Sequence, residues 1–323
     1  MKTFDVKPQA ALSFLFSELT YVEQEVLRQP YPEIKYPQII PVDTSAPEYT
    51  ESIAFKTLDF TGEPALLGDK ANDIPLVEIA AGKGQVGVHT FALGYDYSII
   101  EIGKAMELAR QSRSAAINYL SEKPNAVRQS IEQWTDKTAF LGDGRTADVK
   151  TGLLNDASVP TSTTGALLGG SSQTIAQILA GTDKEVVADS LLKLFNNAIL
   201  KVYVTQTKSI YRPTHILLPL MQYGQMETFR IPNTSETLIS YLERVLKIQF
   251  EPLLHLSGIA EGGKDRMMVY SKNPQFTKFH LPMGFQLQAP ATANNITFVS
   301  GGILRTAGTE LRVPKAHLYV NDI

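Results

Sequence analysis

The chain has no cysteine. Disulfides, thiolate chemistry and cysteine-bearing zinc sites are thereby excluded, and the composition fits synthesis in a reducing cytoplasm. Long hydrophobic runs are missing too, because no apolar stretch approaches the roughly 20 residues that a bilayer span needs. The N-terminus lacks a signal-peptide pattern: Lys2 is followed by Phe4, Asp5 and Lys7, and Glu18 interrupts the apolar stretch. A soluble cytosolic product is expected. Positive charge is not in surplus either. With 30 Lys+Arg against 33 Asp+Glu the formal net charge is −3, and the basic residues are scattered, so nothing attracts nucleic acid by general electrostatics.

Catalytic patterns are absent in the same way. His89, His215, His255, His280 and His317 stand far apart without metal-ligand spacing, and each reads as an ordinary surface or hydrogen-bonded core histidine. Gly169-Gly170-Ser171-Ser172 runs into Gln173, which breaks the serine nucleophile elbow. Acidic pairs such as Glu23 and Glu25 read as solvated faces. Gly82, Gly84 and Gly87 match G-x-G-x-x-G and Glu101 follows, but Val86, Val88, Thr90 and Ala92 continue with period two. The glycines therefore belong to a hairpin and open no helix toward a phosphate. No catalytic, cofactor-binding or metal-ligating residue is assigned. An enzyme whose site only folding assembles stays open as an alternative.

What is present is a chain of 323 residues, 43% hydrophobic, long enough for about two domains. From Pro8 to Arg28, Leu12, Leu15, Phe16, Leu19, Val22 and Val26 fall at helical spacing. Pro30, Pro32, Pro37, Pro41 and Pro47 then punctuate a strap that carries Tyr31, Ile34, Tyr36, Ile39 and Ile40. The prolines predict an extended course with neither helix nor inner strand. Its apolar side chains need a surface, either on a neighbouring molecule or on the same chain. Between Glu51 and Tyr97 the pattern reads strand, loop, strand, with a long loop that mixes Gly62, Pro64, Gly68, Asp69, Asn72, Asp73 and Pro75 with Leu66, Leu67, Ile74, Leu76, Val77 and Ile79.

Helices are expected from Ser98 to Tyr119 and from Ser121 to Leu141, the second capped by Ser121, broken near Pro124 and presenting Val127, Ile131, Trp134 and Leu141 on one face. Trp134 reads as core. Ser158 to Ser172 is rich in Thr, Ser and Gly and is expected to be a flexible crossing between domains. Val187, Leu191, Leu194, Phe195, Ala198 and Val202 then mark a helix over Val186 to Val202, and His215 to Leu220 reads as a buried strand ended by Pro219. Asn233 and Glu236 suggest a capping box for a helix Ser235 to Lys247 with Leu238, Leu242, Val245 and Leu246 inward. Strand patterns follow at Gln249 to Leu256, Met267 to Tyr270, Phe285 to Gln288, Ile296 to Val299 and Leu311 to Val313.

Three runs carry a wider likeness. Trp134 to Asn155 ends a helix in the glycine-rich turn Leu141-Gly142-Asp143-Gly144 and the string Gly152-Leu153-Leu154-Asn155; Asp96 to Arg110 holds Tyr97, Ile99, Glu101 and Ile102; Arg305 to Ile323 leads from Arg312-Val313-Pro314-Lys315-Ala316 through Tyr319 to Asn321-Asp322-Ile323. In their order and spacing the chain resembles, over nearly its whole length, the major capsid protein of tailed bacteriophages, whose Hong Kong 97-type fold encapsulins share. The resemblance implies an α+β fold with an N-terminal arm at 1–50, an extended β-hairpin loop at 51–97, a peripheral domain with a spine helix at 98–172, an axial α/β domain at 173–262 and a return to the peripheral domain at 263–323. The hairpin would reach over an adjacent subunit, or else fold on itself as a large surface hairpin.

The implied role is structural and not enzymatic: self-assembly into pentamers and hexamers of an icosahedral shell around double-stranded DNA, in a virion assembled in the host bacterial cytoplasm. Implied partners are further copies of the chain, a portal and decoration proteins. Because the arm begins almost at Met1, a separate scaffolding protein, or none, is expected. Lys70 and Lys83 lie in the long loop, yet nothing identifies an acceptor for a covalent cross-link. An encapsulin-like compartment for protein cargo and a soluble monomeric enzyme or binding module are the alternative readings.

Overall fold

The computed structural model describes residues 31–64, 76–111, 119–170, 173–231, 235–294 and 296–323. The helix expected over Pro8 to Arg28 and much of the loop around Lys70 lie outside them. The described residues divide into two compact units: a larger one drawn from 34–93, 130–288 and 302–323, and a smaller one drawn from 31–33, 94–111, 119–129 and 289–301.

The chain begins with helix α1 (Tyr36–Ile39) and strands β1 (Val42–Asp43), β2 (Ser52–Thr61), β3 (Glu78–Gly87) and β4 (His89–Ser98). Helices α2 (Ile99–Gln111) and α3 (Tyr119–Leu141) follow, then strand β5 (Thr161–Thr163) and helices α4 (Thr164–Leu167), α5 (Ile175–Leu179) and α6 (Lys184–Leu200). Strand β6 (His215–Leu218) precedes helices α7 (Leu220–Thr228) and α8 (Leu238–Leu246) and strands β7 (Gln249–Pro252) and β8 (Arg266–Tyr270). The chain closes with β9 (Thr277–His280), β10 (Met283–Leu287), β11 (Ala291–Thr292), β12 (Thr297–Thr306), β13 (Gly308–Leu311) and β14 (Leu318–Asn321). Helices and sheets are mixed, as the α+β reading expects.

The centre of the larger unit is a five-stranded sheet in the order β5-β14-β8-β6-β7. Strand side chains alternate between faces, and here both faces are dry. Ile216, Leu218, Met267, Val269, Leu318 and Val320 join Leu191, Leu194 and Phe195 of α6 and Leu238 and Leu242 of α8 in one core. Their neighbours Leu217, Met268, Tyr270 and Tyr319 point the other way, into a second core with Tyr36, Ile40, Phe140, Leu153, Leu154 and Phe279. The stripe expected on α6 is buried throughout, and Asp183 caps the helix by accepting from the Glu185 N–H at 3.0 Å. In the smaller unit, Glu101 accepts from the Ser98 N–H at 3.1 Å and from Lys123 at 3.3 Å, while Lys123 lies 4.7 Å from the Tyr97 ring centre.

Several expectations are corrected. The strap is not uniformly extended: Pro37 sits in the first turn of α1, the one helical position where its missing N–H costs nothing. The described part of the Ser158 to Ser172 segment is no loose crossing, because β5 pairs in parallel with β14 and Thr164 bonds the Asp322 carbonyl at 2.9 Å. Its hydroxyls find partners at a sheet edge. Helix α3 starts at Tyr119, so Ser121 lies inside it and Pro124 is carried beyond the first turn. Thr237, not the Asn233–Glu236 pair, caps α8, while Glu236 pairs with Arg244 at 2.9 Å; Ile239 is buried where Val245 was expected. Asn233 is outside the described residues. Helix α7 had no counterpart in the sequence reading. β8 and β14 share a sheet with β6, so strands far apart in the chain meet in one layer.

The glycine turn closes α3 completely. A helix leaves its last four carbonyls without partners, and the Thr138, Ala139, Phe140 and Leu141 carbonyls accept from Gly142 N–H, Leu153 N–H, Leu154 N–H and the Asn155 side-chain amide at 2.8, 3.1, 2.9 and 2.8 Å. Gly142 and Gly144 take φ of 75° and 68°. Gly152 runs so close to the helix end that a Cβ there would meet the Phe140 and Leu141 backbone. We expect Gly152→Ala to destabilise the unassembled chain by about 3 kcal/mol in urea denaturation, since the obstacle is main chain and cannot swing away.

His317 gives the fold a pH dependence. Its Nδ1 lies 3.0 Å from the Val313 carbonyl, so that nitrogen carries the proton and Nε2 accepts from Thr277 Oγ at 2.6 Å. Burial pushes its pKa from 6.5 down to about 4, against backbone hydrogen bonds at Val313 and Pro314 that favour the cation. The unfolded chain therefore binds the extra proton first as pH falls. Stability should drop by about 3 kcal/mol between pH 6.5 and pH 4 and level off below for this group. Urea titrations across that range should show a flatter profile for His317→Gln.

Candidate functional site

Two segments expected to seek partner surfaces behave differently. The strap closes on its own unit: Tyr36, Ile39 and Ile40 are buried in the second core. Asp136 of α3 accepts from the Lys35 and Tyr36 N–H groups, both at 2.8 Å, and pairs with His255 at 2.9 Å. Burial, helped by the neighbouring carboxylates Glu132 and Asp136, pushes the Tyr36 hydroxyl up to about 12. Further along, β1 lies parallel to β9, and Asp43 pairs with Lys278 at 2.8 Å. Hydrogen bonds from Lys278 and Ser45 hold the Asp43 carboxyl well below the usual range. Beside it, His280 and Arg312 flank Glu310 at 2.7 and 3.0 Å. Burial alone would raise the Glu310 pKa, and these two hydrogen bonds outweigh it. Tyr36, Ile39 and Ile40 thus find their surface on the same chain, while Tyr31 stays 56% exposed.

The hairpin is open. β2 and β3 form a sheet of their own with a continuous register from Ser52↔Gly87 to Thr61↔Glu78. Pairing runs well past the alternation legible in Ile53, Phe55 and Thr57. Gly82, Gly84 and Gly87 all lie in β3, as period two required, and none opens a helix. Phe55 lies across Gly84 and stacks under the Arg312 guanidinium at 4.7 Å. Toward the tip the apolar residues are exposed: Leu58, Phe60 and Ile79 at 63%, 67% and 63%, and Leu76 at 83%.

Among the described residues no group of three or more His, Asp or Glu could hold a metal ion, and no helix is long and apolar enough to cross a membrane. The histidines are dispersed over separate partners: His89 on Asp148, His255 on Asp136, His280 on Glu310, His317 on Thr277 and His215 on Thr214. Trp134 packs on Phe91 with ring centres 4.4 Å apart, a structural contact.

The layout is that of Hong Kong 97-type capsid subunits, and solved structures agree. The capsid protein of Myoviridae phage XM1 matches with a TM-score of 0.79 at 17% identity, over 95% of this chain and 98% of that one. Proteins of Gordonia phage Cozz and Microbacterium phage Oxtober96 match at TM-scores of 0.56, with 11% and 10% identity, over 99% and 98% of this chain and 96% and 99% of theirs. No curated protein matches in sequence. The family model described as Major capsid protein covers residues 62–323, and the chain belongs to that family. Its role is therefore structural, as a subunit of a capsid.

The anchorage of the strap can be checked directly. Asp136→Ala strands two backbone donors and should cost about 2–3 kcal/mol. Trypsin should then cut after Lys35 at least tenfold faster than in the wild-type chain, because cleavage follows the open population.

Proposed function

We propose that the chain is the coat subunit of a tailed phage, assembling through pentamers and hexamers into a closed icosahedral shell around double-stranded DNA. The observation that carries this reading is the hairpin, an isolated two-stranded sheet with exposed Leu58, Phe60, Leu76, Val77 and Ile79. A lone two-stranded hairpin with greasy side chains in water is marginal, and it becomes stable when a further surface covers it. A neighbouring copy supplies that surface at every lattice position. In this reading α3 is the spine of a peripheral domain, and α6, α8, β6 and β7 belong to the axial domain around the symmetry centres. The formal charge of −3 lets the inner wall contain DNA without gripping it. Scaffolding, portal and decoration proteins come with the family resemblance.

Electron microscopy of the purified protein, with an assay for nuclease-protected nucleic acid, tests the reading. Large DNA-filled shells support it; small shells holding protein cargo favour a compartment; a stable 35.6 kDa monomer sinks it. The double variant Leu58→Ser, Phe60→Ser should keep the unassembled chain within about 0.5 kcal/mol of wild type, since both side chains face water there. The same variant should form no shells.

A further inference from the structure

On the hairpin, Lys56 stands directly opposite Lys83 across the strands. Directly opposed like charges destabilise a strand pair. Neither ammonium has an ion-pair partner among the described residues, and both are exposed. Strand alternation puts Lys56, Leu58 and Phe60 on one face with Lys83, Ala81 and Ile79. The opposite face carries Phe55, Thr57 and Asp59 over Gly84, Gly82 and Ala80, and at its base Arg312 closes on Phe55. One face is thus closed at its base by the chain itself, while the other combines a doubled positive charge with an uncovered apolar patch.

The geometry points to a carboxylate of a second copy of this chain seated between Lys56 and Lys83, with apolar side chains of that copy covering Leu58, Phe60 and Ile79. This rests on the coat-subunit reading and specifies its contact. A carboxylate between two ammoniums turns a repulsive pair into two charge-assisted hydrogen bonds. A nucleic-acid backbone would neutralise the lysines but leave the adjoining hydrocarbon wet, whereas a protein surface covers both. The chain has the acids to supply, with 33 Asp+Glu against 30 Lys+Arg. Because the cationic pair repels itself when undocked, the hairpin gains most where the acid is present, which makes the contact selective for the correct register.

Lys56→Glu separates docking from simple hairpin stability. A carboxylate at that position facing Lys83 is a favourable cross-strand pair, so the thermal midpoint of the unassembled subunit should hold or rise. Assembly should suffer, with the threshold concentration for shells rising about tenfold as the incoming carboxylate is repelled. Lys56→Gln, which removes one charge without reversing it, should give a smaller rise and guards against a folding defect. A Lys56→Glu chain that assembles at the wild-type threshold overturns the carboxylate contact while leaving the coat-subunit reading intact. Unchanged assembly with reduced encapsidated DNA would show that the lysines face nucleic acid, which also overturns it. A wild-type chain that forms no shell at any concentration removes both.

Discussion

The larger unit depends on one constraint: its central strand β8 has no wet face. Met267, Met268, Val269 and Tyr270 are all fully buried, with β14 on one side and β6 on the other satisfying the backbone. A strand enclosed on both faces must find two cores, and its alternation decides which side chain goes to which. Met267 and Val269 define the helical layer of α6 and α8; Met268 and Tyr270 define the layer where the strap, the glycine turn and β9 meet. The polar ends of the buried tyrosines then set positions. Tyr270 donates to the Ile39 carbonyl at 2.9 Å and Tyr319 to the Leu153 carbonyl at 2.6 Å, so the sheet holds the strap with one hydroxyl and the turn with the other. Burial raises both hydroxyls well above the ordinary tyrosine range and keeps them donors.

The same layer explains why the end of α3 is so tightly specified. The Ala139 carbonyl also accepts from Thr309 at 2.6 Å, and Arg266 reaches the Leu154 carbonyl while its guanidinium lies 4.6 Å from the Tyr319 ring centre. Helix, turn, β13 and β14 are thereby one hydrogen-bonded unit. A long helix that must stop at a fixed residue needs this much support, because a frayed last turn would expose carbonyls inside a core.

Much of this was legible in the residues. The period-two run Val86, Val88, Thr90 and Ala92 placed Gly82 and Gly84 in a hairpin rather than at a helix start and removed the nucleotide-binding reading, and the stripe of α6 and the strand before Pro219 followed from spacing. Less legible features share a physical cause. Helix α7 is short, with Gly224 inside and Leu220 and Met221 exposed, so its apolar periodicity is weak. Thr161 to Thr163 looked like a linker because side-chain hydroxyls usually mean turns, yet here β14 pairs with them. The strap misled for a different reason. Prolines limit what the backbone donates, but they do not say which molecule receives Tyr36, Ile39 and Ile40; that was set by Asp136 and Tyr270, 100 and 231 residues from the strap positions they hold.

Closure of the strap changes where lattice stability can come from. Side chains already buried in one unit add nothing to association, so contacts between copies must draw on residues that are wet in the single chain, and the hairpin tip holds a concentrated set of them. Fully covering a side chain such as Leu58 or Phe60 contributes about 1.5–3 kcal/mol each. Docking two bodies costs about 4–15 kcal/mol in lost freedom, so one hairpin on one neighbour is marginal. In the shell proposed above, each subunit would both give and receive a hairpin, and the later contacts would form within an already tethered assembly. Weak, reversible single contacts would then let misplaced subunits leave during growth, and the accumulated set would hold once the shell closes.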